Sequence, residues 1–153
     1  MIQVLIRDVT EADLPTLFEQ QLDPEATAMA AFPSREREAF MAHWAKIMAN
    51  EKNIIKVVLY NDQIAGTISS WEMEGEREVG YWYGREFWGK GIATQGLAQY
   101  IEVVKMRPLY AHVAQHNIGS RRVLEKCGFK VIGEDSYTNP AEADVEEFIL
   151  KLE

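Results

Sequence analysis

The spacing of hydrophobic positions changes several times along the chain, from the alternation typical of strands to the three-and-four spacing of helices. Leu14, Leu17 and Phe18, for example, share one helical face. The first third of the chain predicts four elements in order: a strand at 2–7, a helix opened by a capping box of Thr10 and Asp13, a loop or irregular helix at 21–33, and a helix at 34–50.

Runs rich in β-branched and aromatic residues follow, and turn residues separate them. Residues 53–83 therefore predict an antiparallel meander. Asn117 is placed to cap a later helix, and Gly128 to end it in the left-handed conformation. A meander followed by alternating strands and helices indicates the α+β class. The remaining predicted elements are a helix at 91–106, a strand at 109–115, a helix at 117–128, and strands at 129–136 and 145–152.

Composition limits the classes of protein to which the chain can belong. With 153 residues, of which 47% are hydrophobic and 26% charged, it is expected to form a single domain, 1–153. The start has no signal-peptide pattern and no stretch approaches the length of a membrane span, so we expect a cytoplasmic protein without membrane contact. The net charge of −8 argues against nucleic-acid binding and weakly favours a cationic substrate.

Residues that commonly bind metals are few and poorly spaced. Cys127 is the single cysteine, and His43, His112 and His116 show no HExxH spacing, so no metal site is expected. Cys127 fits a small buried residue beside a helix end, and the histidines fit structural or surface roles.

The segment GREFWGKG, residues 84–91, matches a phosphate-binding P-loop except at its last position. There Gly91 replaces the Ser or Thr that would bind magnesium. A P-loop also follows a parallel strand, whereas this segment follows an antiparallel meander. Glycines ahead of a helix can still hold phosphate without metal, because the first helical N–H groups have no intrahelical partner. An ordinary tight turn is the alternative explanation for the same glycines.

Two motifs, FWGKGIAT at 87–94 and HNIGSRRVLEKCGF at 116–129, together resemble the GNAT superfamily of acetyl-CoA-dependent N-acetyltransferases, in particular its ribosomal-protein N-terminal acetyltransferase (RimJ/RimL-like) branch. FWGKGIAT resembles motif A, Q/R-x-x-G-x-G/A, aligned over 88–93 with Trp88 at the usual Gln or Arg position. HNIGSRRVLEKCGF, residues 116–129, resembles a downstream segment of the same branch. The resemblance implies an α+β GNAT fold: a mixed, mostly antiparallel sheet of about six or seven strands, splayed near the cofactor and flanked by about four helices.

The resemblance also implies where acetyl-CoA would bind. Backbone amides from Gly89 to Thr94 would hold its pyrophosphate, and unpaired backbone groups of the preceding strand would bond its pantetheine arm. For the aromatic residues of that strand, filling of a sheet face is the alternative. Arg121, Arg122 and Lys126 would either meet a phosphate or lie in solvent. The implied cofactor-binding residues are Tyr81, Trp82, Tyr83, Trp88, Gly89, Lys90, Gly91, Ile92, Ala93, Thr94, Asn117 and Ser120.

Three residues are implied in catalysis: Ser120, Glu78 and Asn117. By the resemblance, Ser120 would donate to the departing thiolate, and Asn117 lies three positions earlier on the same side of the helix. The alternative for Asn117 is a helix cap only. Glu78 would accept a proton from the amine, directly or through water, or would be a solvent-facing strand carboxylate.

The sequence therefore predicts transfer of acetyl from acetyl-CoA to a primary amine, on a small molecule or a peptide N-terminus, by direct attack in a ternary complex. The alternative is a noncatalytic acyl-CoA-binding or regulatory module with the same fold. The segment 21–33 is expected to form one wall of the acceptor pocket, with Asp23 and Glu25 suited to a cation. The identity of the acceptor and the choice between monomer and homodimer stay open.

Overall fold

The strands form one seven-stranded sheet in which every pair of neighbours but one runs antiparallel. The computed structural model describes residues 3–153, and the strand order is β1-β2-β3-β4-β5-β7-β6. The strands are β1 (Val4–Asp8), β2 (Ile54–Tyr60), β3 (Gln63–Met73), β4 (Glu76–Tyr83), β5 (Leu109–Ala114), β6 (Lys130–Thr138) and β7 (Asp144–Leu152). The helices are α1 (Leu14–Gln21), α2 (Pro24–Ala30), α3 (Arg37–Ala49), α4 (Ile92–Val103) and α5 (Ile118–Lys126).

The alternation of side chains along the strands divides the hydrophobic residues between the two faces of the sheet. On β3, Ala65 joins the larger core, whereas its neighbour Ile64 packs with a second cluster. The larger core includes Tyr100 of α4 and so covers one face. The second cluster joins α1 and α3 to the other face, where the rings of Phe18 and Phe40 meet edge-on at 5.4 Å.

The one parallel pair, β4 with β5, is joined over two residues only. Arg77 lies opposite Leu109 and Glu78 opposite Tyr110, and the pairing ends there. β4 continues beside β3 as far as Tyr83. Among residues 3–153, no strand therefore pairs with the other edge of β4 beyond Glu78. This opening between the central strands confirms the splay that the resemblance implied.

The α+β class, the number of strands and the flanking helices are confirmed. Residues 3–153 form five α-helices, because the segment expected to be a loop or irregular helix contains α2. Asp23 caps α2 by accepting from the Glu25 N–H at 3.2 Å, and Pro24 takes the first helical position. An Asp-Pro pair is a common helix start, so the signal was present in the sequence.

Both predicted ends of α5 are confirmed. The Asn117 side chain accepts from the Ser120 N–H at 3.2 Å, and Gly128 has a φ of +98°. α4 is shorter than predicted and ends at Val103. The predicted first strand included Ile2, which lies outside the described residues. Within residues 3–153, no helix combines the length and the apolar character that crossing a bilayer requires.

Candidate active site

The loop between β4 and α4 leaves open space in front of a helix N-terminus. Gly89 and Gly91 have φ values of +73° and +78°, which L side chains seldom adopt. A Cβ built on Gly89 would meet nothing within 4 Å, and one on Gly91 would meet only the Gln95 amide at 3.9 Å. The Gln95 N–H donates to the Gly91 carbonyl, so the amides of residues 92–94 have no intrahelical partner. These amides can bind an anion such as a phosphate.

The Trp88 and Lys90 side chains attach this loop to the rest of the protein. The Trp88 indole N–H donates to the Tyr83 carbonyl at 3.1 Å, which ties the loop to the last residue of β4. The Lys90 ammonium lies 5.8 Å from the centre of the Tyr60 ring. The residue at the usual Gln or Arg position of the motif therefore holds the loop in place through its own side chain.

A cavity of about 460 Å³ adjoins the loop, and we name it the loop cavity. It brings together every residue predicted to bind the cofactor except Lys90, whose side chain lies towards Tyr60. The predicted residues that line it are Tyr81, Trp82, Tyr83, Trp88, Gly89, Gly91, Ile92, Ala93, Thr94, Asn117 and Ser120.

Other residues of the loop cavity could not be chosen from the sequence. Arg122 and Lys126 line it, whereas the Arg121 guanidinium lies 4.6 Å over the Phe148 ring. Helix α2 contributes three small or flexible apolar residues, for which the sequence carried no chemical signal: Ala26, Met29 and Ala30.

Ser120 and Tyr81 form a hydroxyl pair on the wall of the loop cavity. The Tyr81 hydroxyl lies 2.8 Å from Ser120 Oγ and 3.0 Å from the Ser120 carbonyl oxygen. Burial raises the pKa of Tyr81 far above its ordinary value, so the phenol remains an O–H donor. Asn117 fixes the first turn of α5 by capping the Ser120 amide. The sequence predicted Ser120 in this place but not its bond with Tyr81.

Glu78 is buried, so the alternative of a solvent-facing carboxylate is wrong. Its Oε1 lies 3.3 Å from His112 Nε2, and His112 Nδ1 lies 3.3 Å from Glu147 and 3.5 Å from Asp135. Hydrogen bonds to Glu147 and then to Glu78 raise the pKa of His112 to about 10. The ring therefore carries a positive charge at neutral pH and offsets the buried carboxylate. We call these four residues the histidine cluster.

A larger cavity of about 720 Å³ lies between the α1–α3 side of the protein and the sheet, and we name it the aromatic cavity. Its aromatic lining residues are Phe32, Phe40, Trp44, Trp71, Tyr81 and Trp82. Tyr81 and Trp82 also line the loop cavity, so the two cavities meet at these residues of β4. Trp82 is held there by its indole N–H, which donates to the Gln20 carbonyl at 3.2 Å.

The segment 21–33 contributes to the aromatic cavity, but not through its acids. Phe32 and Pro33 line the cavity, whereas Asp23 and Glu25 are paired with Arg85 at 3.3 and 2.9 Å. The expectation that these two carboxylates face a cationic acceptor is therefore wrong, because both already form ion pairs with Arg85. Arg85 lies 60 residues further along the chain, and the sequence pattern did not reveal this pairing.

A family model for the acetyltransferase (GNAT) domain matches residues 3–130. The chain belongs to the GNAT acetyltransferase family. It is 31% identical over 100 residues to YdaF of Bacillus subtilis (strain 168), whose name assigns it provisionally to the ribosomal N-acetyltransferases. That match spans 61% of this chain and 55%, or about half, of the relative.

Solved structures of this family share the fold at low sequence identity. A GNAT-family acetyltransferase from Bacillus anthracis superposes with a TM-score of 0.81 at 20% identity, covering 97% of this chain and 93% of that one. A ribosomal-protein-alanine N-acetyltransferase from Brucella melitensis gives 0.81 at 22%, covering 96% and 98%. A spermidine N-acetyltransferase from Vibrio cholerae, solved with CoA and spermine, gives 0.79 at 18%, covering 97% and 95%. These likenesses confirm the predicted fold.

Proposed function

We propose that this protein transfers the acetyl group of acetyl-CoA to a primary amine by direct attack in a ternary complex. One observation carries the proposal: the free amides at the start of α4 and the Ser120 hydroxyl line the same cavity. Groups that can bind a phosphate and donate to a leaving group thus line one cavity, in a chain of the GNAT family.

The residues present fit acetyl-CoA. The space in front of Gly89 and Gly91 leaves room for the pyrophosphate against the amides of residues 92–94. Arg122 and Lys126 line the same cavity and can meet further phosphate charge, which a chain of net charge −8 needs locally. The unpaired edge of β4 beyond Glu78 offers backbone groups to the amides of the pantetheine arm.

The acceptor amine would enter through the aromatic cavity and reach the thioester where Tyr81 and Trp82 line both cavities. The neutral amine attacks the carbonyl carbon, the new N–C bond forms, and the electron pair of the broken C–S bond goes to sulfur. Ser120 donates to the sulfur, and the Tyr81 hydroxyl supports the Ser120 oxygen from 2.8 Å. Asn117 positions Ser120 by capping its amide. Ser120 keeps its proton and donates only a hydrogen bond, so the amine nitrogen loses one proton to the base and the released thiolate takes one proton from water.

Glu78 would receive the proton that the amine loses, through water. It lies on the same strand face as Gly80 and Trp82, because side chains of a strand alternate. Those two residues line the aromatic cavity, whereas Glu78 lines neither cavity, so ordered water would have to join its carboxylate to the amine. The His112 cation lies 3.3 Å from Glu78 and balances the charge of this carboxylate in the interior.

Release of free thiol tests the proposal. With purified protein and acetyl-CoA, thiol should appear only when an amine is added, and mass spectrometry should find one acetyl group on that amine. The noncatalytic alternative predicts a different result, in which acetyl-CoA raises the unfolding temperature but no amine in a broad panel of peptides, polyamines and amino acids is acetylated.

A further inference from the structure

The aromatic cavity carries positive rather than negative charge. Its ionisable lining residues are Arg35, His43, Lys46 and Glu72. Glu72, the single carboxylate among them, lies 3.7 Å from Lys52 and 3.8 Å from Arg77. Neither Arg35 nor Lys46 forms an ion pair with any other residue in the described range 3–153. Two cations are therefore available to a ligand, in a chain whose net charge is negative.

Arg35 is held at the cavity by its backbone. Its N–H donates to Gln21 Oε1 at 2.6 Å, and Gln21 Nε2 donates back to the Arg35 carbonyl at 2.9 Å. The guanidinium lies 5.7 Å from the centre of the Phe32 ring. These contacts use none of the five guanidinium N–H donors, which match a carboxylate in a two-bond fork.

The positive charge around the aromatic cavity also affects His43. Burial lowers its pKa, and the charges of Arg35 and Lys46 lower it further. The imidazole is therefore neutral at neutral pH and can donate a hydrogen bond without adding charge. Aromatic walls, and cations at the rim that form no ion pair within residues 3–153, favour a ligand with an apolar body and an anionic group.

We infer that the acceptor is a primary amine that carries a carboxylate on an apolar body, with the carboxylate bound by Arg35 and the amine at Tyr81 and Trp82. This inference rests on the proposed function, since it names the class of acceptor for the same site. It excludes polyamines as preferred acceptors, because their extra ammonium groups would face Arg35 and Lys46. The carboxylate can belong to a free amino acid or to an acidic side chain near a peptide N-terminus.

Matched acceptor pairs test the inference by measuring kcat/KM from thiol release. One pair is tryptophan and tryptophanamide. The other is the amidated peptide Ala-Phe-Asp and its Ala-Phe-Asn counterpart, and spermidine is the cationic comparison. We expect at least one carboxylate member to exceed its amide by about tenfold or more, equivalent to about 1.4 kcal/mol. The pair that shows the preference identifies the source of the carboxylate.

Arg35→Gln should remove most of that preference by raising KM for the carboxylate member and leaving the amide unchanged. Arg37→Gln is the matched control. It removes the same charge two positions after Arg35, and the Arg37 side chain does not line the cavity. Equal rates for acid and amide, a preference for spermidine, or an unchanged preference in Arg35→Gln would each overturn the inference while leaving acetyl transfer intact. If no amine were acetylated, the proposed function itself would fail.

Discussion

The proposed phosphate site predicts that Gly91→Ala will weaken coenzyme binding far more than it weakens the fold. The backbone at Gly91 has a φ of +78°, and a Cβ there would meet only the Gln95 amide, at 3.9 Å. No steric clash within the protein is therefore created. The cost to the fold comes from the left-handed conformation, about 1–2 kcal/mol for an L residue.

Gly75 provides the matched control. It has a φ of +83° in the turn between β3 and β4, and a Cβ there would meet nothing within 4 Å. Gly75→Ala should therefore lower the free energy of unfolding by a similar amount, about 1–2 kcal/mol. It lines neither cavity, so it should leave coenzyme binding unchanged.

Binding should separate the two variants. The added methyl group of Gly91→Ala would stand beside the amides of residues 92–94 and hold a phosphate away from them. Loss of one charge-assisted hydrogen bond costs about 1.5–3 kcal/mol, which corresponds to a rise in Kd of about tenfold to a hundredfold.

Isothermal titration of acetyl-CoA and urea unfolding, performed on both variants, provide the measurements. The reasoning is refuted if Gly91→Ala binds acetyl-CoA as tightly as wild type does. It is also refuted if Gly75→Ala loses the same affinity, because strain in the fold would then explain both losses.

Two further predictions concern the hydroxyl pair and the histidine cluster. Ser120→Ala should lower kcat by about a hundredfold, and Tyr81→Phe should lower it by about fivefold through loss of one hydrogen bond. Titration should find the acetyl-CoA affinity of both variants unchanged. An unchanged kcat in Ser120→Ala would assign the donor role to water. Because the pKa of His112 is raised from 6.5 to about 10, its stabilising contribution is complete below pH 6.5 and is lost as pH rises towards 10. The urea midpoint should therefore fall more from pH 6 to pH 10 in wild type than in His112→Gln. Equal falls in the two proteins would contradict the pairing of His112 with Glu78 and Glu147.

Much of the loop cavity could be predicted because its signals are local. Glycines at positive φ, a helix start and a capping Asn act over a few residues, so the pattern around Gly91 and Asn117 identified the loop and the start of α5. The resemblance to a known family then assigned them to one site. The segment of α2 was predicted as a loop or irregular helix although its Asp-Pro start was visible, because the short apolar segment around it has no clear helical periodicity.

The sequence by itself determined the α+β class, the succession of strands along the chain and both ends of α5, because hydrophobic spacing and capping depend on near neighbours. Tertiary structure alone decided which charged groups are free. Arg85 pairs with Asp23 and Glu25, which lie 60 or more residues earlier in the chain. His112 holds Glu78, 34 residues earlier, in the interior. Charge pairing depends on which side chains the sheet register and helix packing bring within a few ångströms, and a carboxylate in a sequence looks the same whether it is paired or free. The acceptor pocket was expected to carry Asp23 and Glu25, but it is an aromatic cavity lined by Arg35 and Lys46, which form no ion pair in the part of the chain that the structure describes.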